Sequence, residues 1–156
     1  MTKKTLRKIV ALAAVLPLAF AFSSCTTGVD DPKPPADSGI PRPEACDAET
    51  PYIAVALPNL TNPYYIAMKR GFEEAGAAAG FDVEVQIAND DDQVQLNQAL
   101  TMLQKKPCAF ALNAVKSEPG AAIVKAANDA GVPVFTVNVI LSQEALDDQG
   151  AVIVQY

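Results

Sequence analysis

Five side chains carry most of the chemistry this chain offers: Asn62, Tyr64, Tyr65, Asn113 and Asn138. Carboxamides donate to and accept from hydroxyls, and a tyrosine face covers the apolar C–H side of a ring. The set therefore suits a neutral polyhydroxylated ligand. Each residue also has a plain structural use. Asn62 is a good helix cap, Asn113 and Asn138 are ordinary turn residues, and Tyr65 falls on an apolar stripe that leaves Tyr64 the freer tyrosine. Groups for bond-making chemistry are scarce. The 156 residues contain no His, which removes the usual general base and the commonest zinc ligand. No G-x-G-x-x-G follows the first strand and no Walker-type Gly-Lys-Ser or Gly-Lys-Thr occurs; Ser117 and Ser142 lack an imidazole or a Gly-x-Ser-x-Gly elbow. Asp90-Asp91-Asp92 can hold a cation or act as paired carboxylates, but such a run is more often a solvated helix start that exploits the dipole. No enzymatic activity, cofactor or metal is expected.

The elements that must position these residues alternate between strand and helix. Tyr52 to Leu57 is a near-continuous apolar run ended by Pro58 and reads as a buried parallel strand. Asn62 and Pro63 then open a helix whose Tyr65, Met68, Phe72, Ala75 and Ala79 recur at helical spacing up to Gly80. Phe81 to Ile87 alternates as a strand near a sheet edge. Asp91 or Asp92 caps a second helix that runs to Lys105-Lys106-Pro107, with the cations at its negative end. Cys108 to Leu112 is a third strand, Ser117 and Pro119 start a third helix that ends at Gly131, and Val132 to Val137 is a fourth strand. A weak helical turn is expected over Ser142 to Leu146 and a fifth strand over Ala151 to Tyr156. This pattern predicts an α/β fold, a doubly wound parallel sheet with helices on both faces. Ligands bind such sheets beyond the carboxyl ends of the strands, where all five polar and aromatic candidates fall.

Ahead of this segment lies a basic cluster (Lys3, Lys4, Arg7, Lys8), an apolar run from Ile9 to Phe22, and Ser23-Ser24-Cys25. The run is well short of the roughly twenty residues that a membrane-crossing helix needs, so it reads as the core of an export signal. Phe22-Ser23-Ser24-Cys25 resembles a bacterial lipobox, which implies a signal peptide over 1–24 and a lipid on Cys25. Cleavage after Ala19-Phe20-Ala21 is the alternative and leaves Cys25 an ordinary thiol. The 25–50 stretch, with five prolines and few large apolar residues, reads as a Pro-rich tether, and 51–156 as the folded lobe. Loss of the signal leaves a net charge of about −10, a surface that repels phosphate backbones, so nucleic acid is not expected as a partner.

Cys46 precedes the first strand and Cys108 begins the third. In a sheet ordered second, first, third these strands are neighbours, with both cysteines at their amino ends. A Cys46–Cys108 disulfide is then reasonable in an oxidising compartment; two unrelated buried thiols are the alternative.

Leu57-Pro58-Asn59-Leu60-Thr61-Asn62-Pro63-Tyr64-Tyr65, then Met68-Lys69-Arg70-Gly71-Phe72-Glu73-Glu74-Ala75 and Ala79-Gly80-Phe81, resembles the opening of ribose- and galactose-type periplasmic sugar-binding proteins of ABC importers. The likeness continues through Asn89-Asp90, Leu112-Asn113 and Ala130-Gly131-Val132-Pro133-Val134. It implies the N-terminal lobe of a two-lobed clamp, truncated before the second lobe. It also implies a substrate-binding lipoprotein that captures a sugar-like solute in the cell envelope, anchored to the membrane by lipid and partnered by a permease and an ATPase. By the resemblance Asn62 hydrogen-bonds the ligand, Tyr64 and Tyr65 stack on it, and Asn113 makes a strand-end contact. Two positions depart from the pattern: Asn138-Val139 stands where sugar binders place Asp-Arg, and Ala114 replaces a Pro. A sensor that presents its ligand to a receptor or kinase is one alternative, and a truncated fragment that binds no ligand is the other. The effector domain of a repressor is disfavoured by the export signal.

Overall fold

The computed structural model describes residues 41–154; the expected export signal and Cys25 lie outside the described residues. The order of elements is β1 (Tyr52–Leu57), α1 (Pro63–Ala78), β2 (Asp82–Ile87), α2 (Asp92–Leu103), β3 (Ala109–Leu112), α3 (Ser117–Asp129), β4 (Val134–Thr136) and α4 (Gln143–Gln149), after a 3-10 turn at Glu44–Asp47. The four strands form one parallel sheet in the order β2-β1-β3-β4. The expected doubly wound α/β architecture is present. β2 is an edge strand, as its alternating sequence requires.

Strand side chains alternate between two faces, and each face has its own core. Ala54, Ala56, Phe110 and Leu112 point to one side, where Met102 of α2, Ile123 and Val124 of α3 and Leu146 of α4 cover them. Val55, Leu57 and Ala111 point to the other, against Met68 and Phe72 of α1 together with Val83, Val85 and Ile87 of β2. The coverage is unequal. Three helices pack on the first face, whereas α1 has no buried residue at all. A groove of about 470 Å³ runs along α1, lined by Ile53, Met68, Phe72, Gly76 and Val83 among others.

Helix ends follow the glycines. At both Gly80 (φ 81°) and Gly131 (φ 72°) the chain turns left-handed, and the next amide returns into the helix: Phe81 N to Gly76 O at 2.9 Å, Val132 N to Ala127 O at 2.8 Å. This second closure explains why β4 is shorter than the expected Val132 to Val137. Val132 belongs to the cap of α3, Pro133 has no N–H, and pairing begins at Val134. The expected fifth strand is not formed over the described residues 151–154. Ala151 N is taken by Leu146 O and Val152 N by Asn128 Oδ1, so of these four residues only Val154 donates to β4, at Val134 O. The weak turn expected after Ser142 is instead the two-turn helix α4, capped by Ser142 Oγ on Ala145 N and closed by Gly150 at φ 60°.

Cys46 and Cys108 form a disulfide with Cα atoms 4.7 Å apart. It holds the 3-10 turn at Glu44–Asp47 to the amino end of β3.

Candidate solute-binding edge at the strand carboxyl ends

The loops that leave β1 to β4 gather at one end of the sheet, and Asn59 organises the first. Its Oδ1 accepts from Thr61 N and Oγ1 and from Asn62 N, while its Nδ2 donates to Asp90 Oδ1 at 2.7 Å, joining the loop after β1 to the loop after β2. Asn62 follows as the N-cap of α1, with Oδ1 accepting from Tyr64 N at 2.9 Å. Pro63 supplies the first helical residue without an unmet N–H. The cap uses the acceptor half of the carboxamide. The side chain is exposed and its Nδ2 makes no hydrogen bond among the described residues.

Adjacent helical residues point about 100° apart, and the two tyrosines diverge accordingly. Tyr64 is 54% exposed, whereas Tyr65 is half-buried; their rings meet edge to face at 5.8 Å. Tyr65 Oη accepts from Asn138 Nδ2 at 3.4 Å, a contact that spans 73 residues and ties α1 to the end of β4. Asn138 itself is left-handed, φ 65°, a conformation that Asn tolerates better than most side chains.

Asn113 sits at the end of β3 and is wholly buried. Its Nδ2 lies 4.0 Å from Met68 Sδ on α1, and its Oδ1 has no hydrogen-bond partner. A buried acceptor left this way is uncommon in native proteins. Tyr64, Tyr65 and Asn138 are thus joined through direct contacts, Asn62 adjoins them through the cap, and Asn113 reaches α1 through Met68. The arrangement is an open edge. Three cavities among the described residues, the α1 groove included, border none of the five.

The acidic run has been divided among separate partners. Asp91 caps α2 through Gln93 N and Val94 N, Asp90 holds Asn59, and Asp92 pairs with Lys116 at 2.8 Å, which keeps its carboxyl below the usual range. Among the described residues no cluster of His, Cys, Asp or Glu could hold a metal ion. Two residues at this end stand outside the five sequence candidates. Asn59 and the buried Gln95 both bond to loops far along the chain, Gln95 donating to Asn113 O and accepting from Val115 N. An isolated Gln on the apolar side of a helix is the one signal that could have exposed the second.

The model of the periplasmic binding protein domain matches residues 53–155. The ribose import binding protein RbsB of Bacillus subtilis is 25% identical over 133 residues, which are 85% of this chain and 41% of the relative. A periplasmic solute-binding protein of Actinobacillus succinogenes, solved with D-allose, aligns at TM-score 0.61 with 28% identity over 65% of this chain and 36% of the other. One from Agrobacterium vitis, bound to α-D-tagatopyranose, aligns at 0.55 with 30% identity over 59% and 31%. The chain spans about two-fifths of the length of the curated relative it matches. With the parallel order β2-β1-β3-β4 and a match that runs from β1 through the last described residue, the chain belongs to the periplasmic binding protein family.

Proposed function

We propose that this lobe takes one side of a neutral polyhydroxylated solute, a sugar or a related polyol, as the substrate-binding component of an ABC importer outside the cytoplasmic membrane. The observation that carries the reading is the Tyr65–Asn138 contact beside the exposed Tyr64 ring, with the buried, unpartnered Asn113 Oδ1 at the neighbouring strand end. Tyr64 offers an apolar face, Asn62 Nδ2 a donor, and Asn113 Oδ1 an acceptor for a solute hydroxyl. None of the five side chains is charged, and Val139 stands where the resemblance places an Arg fork, so sugar phosphates are poor ligands. The sugars bound by the two structural relatives belong to the favoured class. No step of covalent chemistry is assigned to the chain.

Cys25 carries the lipid in this reading, and permease and ATPase subunits receive the solute. Mass spectrometry of the mature N-terminus checks the anchor; a free Ser23 or Phe22 there overturns it. An open edge that covers one side of a sugar leaves the other side in water, so these 156 residues by themselves bind it weakly. In an NMR titration of the full chain with D-allose, the expected result is millimolar binding with shifts at Tyr64, Tyr65, Asn113 and Asn138. Shifts confined to the α1 groove, or none, overturn the reading. Micromolar affinity by calorimetry would contradict the one-sided site.

A further inference from the structure

Gln95 lies on α2 and is 2% exposed, yet both ends of its carboxamide are engaged by the backbone of another segment. Nε2 donates to Asn113 O at 2.9 Å and Oε1 accepts from Val115 N at 2.9 Å. Those two backbone groups belong to the loop between β3 and α3, where neither the strand ladder nor the helix supplies partners. A buried backbone group must be paired somewhere. Gln95 does for this loop what another strand would do.

The consequence falls on Asn113. Its N–H donates to Ala56 O at 2.9 Å and its C=O is held by Gln95, so the peptide groups on both sides of its Cα are fixed. The loop is also packed closely against α3: a Cβ added at Gly120 would come within 2.8 Å of Ala114 Cβ, the residue between the two clamped groups. With the backbone held on both sides, the direction of the Asn113 Cα–Cβ bond is set before any ligand arrives, Nδ2 lies against Met68 Sδ, and Oδ1 is left without a partner.

We propose that Gln95 is a positioning residue of the solute-binding edge, whose carboxamide clamps Asn113 O and Val115 N and so aims the Asn113 carboxamide at a ligand hydroxyl. The inference rests on the solute-capture reading of Asn113 and adds a residue that touches no ligand. Prior fixing of a binding group lowers the ordering cost at the moment of binding.

The test uses the full 156-residue chain. Gln95→Met keeps the length and approximate volume of the side chain but removes the paired hydrogen bonds; Asn97→Ala, on the exposed side of α2, is the control. Two readouts need no ligand: hydrogen exchange of the Val115 amide relative to Val55 in β1, and the nuclear Overhauser contact between Asn113 Nδ2 protons and the Met68 methyl. In Gln95→Met, Val115 exchange should rise by about tenfold over that of Val55, and the Asn113–Met68 contact should disappear. Parallel acceleration at both amides with the contact retained reduces Gln95 to a space-filler and overturns the proposal. Should Gln95→Met fail to fold, the unaltered chain decides: a slowly exchanging Gln95 Nε2 proton supports the clamp, and exchange as fast as that of the exposed Gln93 side chain sinks it. D-allose provides the separate arm. If it leaves Asn113 of the unaltered chain unmoved, the solute reading fails and the ligand half of this proposal fails with it, whatever the exchange data say about the clamp.

Discussion

Asn62 combines two roles that a pair of substitutions can separate. Its Oδ1 caps α1 on Tyr64 N, while its Nδ2 faces water. Asn62→Ala removes the cap and should cost about 1 kcal/mol in urea unfolding. Asn62→Asp keeps an acceptor for Tyr64 N, adds a charge that the helix N-terminus favours, and should hold stability within a few tenths of a kcal/mol. It nonetheless deletes the donor, so the D-allose response should weaken in both variants. A fall in stability with an unchanged sugar response would make Asn62 a cap alone. The capping role is legible in sequence because cap and target are two residues apart. The Tyr65–Asn138 contact and the Gln95 clamp are not, since their partners lie 73 and 18 residues away and no local pattern specifies them.

Elements are joined by a small set of contacts whose loss should be measurable. Lys105 lies past the end of α2, and its Nζ turns to Glu84 on β2 at 2.5 Å instead of remaining over the helix terminus. Glu84 also accepts from Tyr52 Oη and Gln86. The Lys105 hydrogen bond, helped by Gln86, holds the Glu84 carboxyl below its usual range, while burial and then Glu84 push the Tyr52 phenol up. For a carboxylate with a depressed folded pKa, the stabilisation is present above the unfolded value and lost as pH falls through the folded one. Lys105→Met should therefore raise the Glu84 titration in NMR toward the ordinary glutamate range and reduce this group's part of the acid dependence of stability. No change in the Glu84 midpoint would refute the pairing. A second junction is steric. Gly76 of α1 faces β2 so closely that an added Cβ would lie 2.2 Å from Val83 Cγ2. Gly76→Ala gains helix propensity yet should lose about 1–3 kcal/mol through overpacking, read from the urea midpoint. A stabilised variant would mean that α1 shifts freely on the sheet.

At the scale of the molecule, the disulfide and the unequal helix layers set the behaviour. Cys46–Cys108 closes a loop of 62 residues. Cys46→Ser should lower stability by roughly 2–4 kcal/mol in the chain-entropy view, and adding reductant should lower the intact chain by a similar amount while leaving the variant unchanged. Equal midpoints with and without reductant would remove the crosslink from the stability of the fold. Among the described residues, one helix with no buried residue covers the sheet on the α1 side, so this face is the least protected part of the core they form. The proposed binding edge is likewise open, which is why affinity for a sugar is expected to be weak.

The sequence by itself determined the alternation of strands and helices, the parallel sheet, the helix stops at Gly80 and Gly131 and the candidate residues at the strand ends. Those features are written in periods of two and 3.6 and in capping residues, which act over a few positions of chain. Tertiary structure decided the rest: that Val132 closes α3 instead of starting β4, that 151–154 give their first amides to α4 and Asn128, and that Gln95 holds the loop of Asn113. Each of these turns on which distant partner takes a backbone hydrogen bond. Such a choice is settled only when the packed elements bring the competing acceptors within reach.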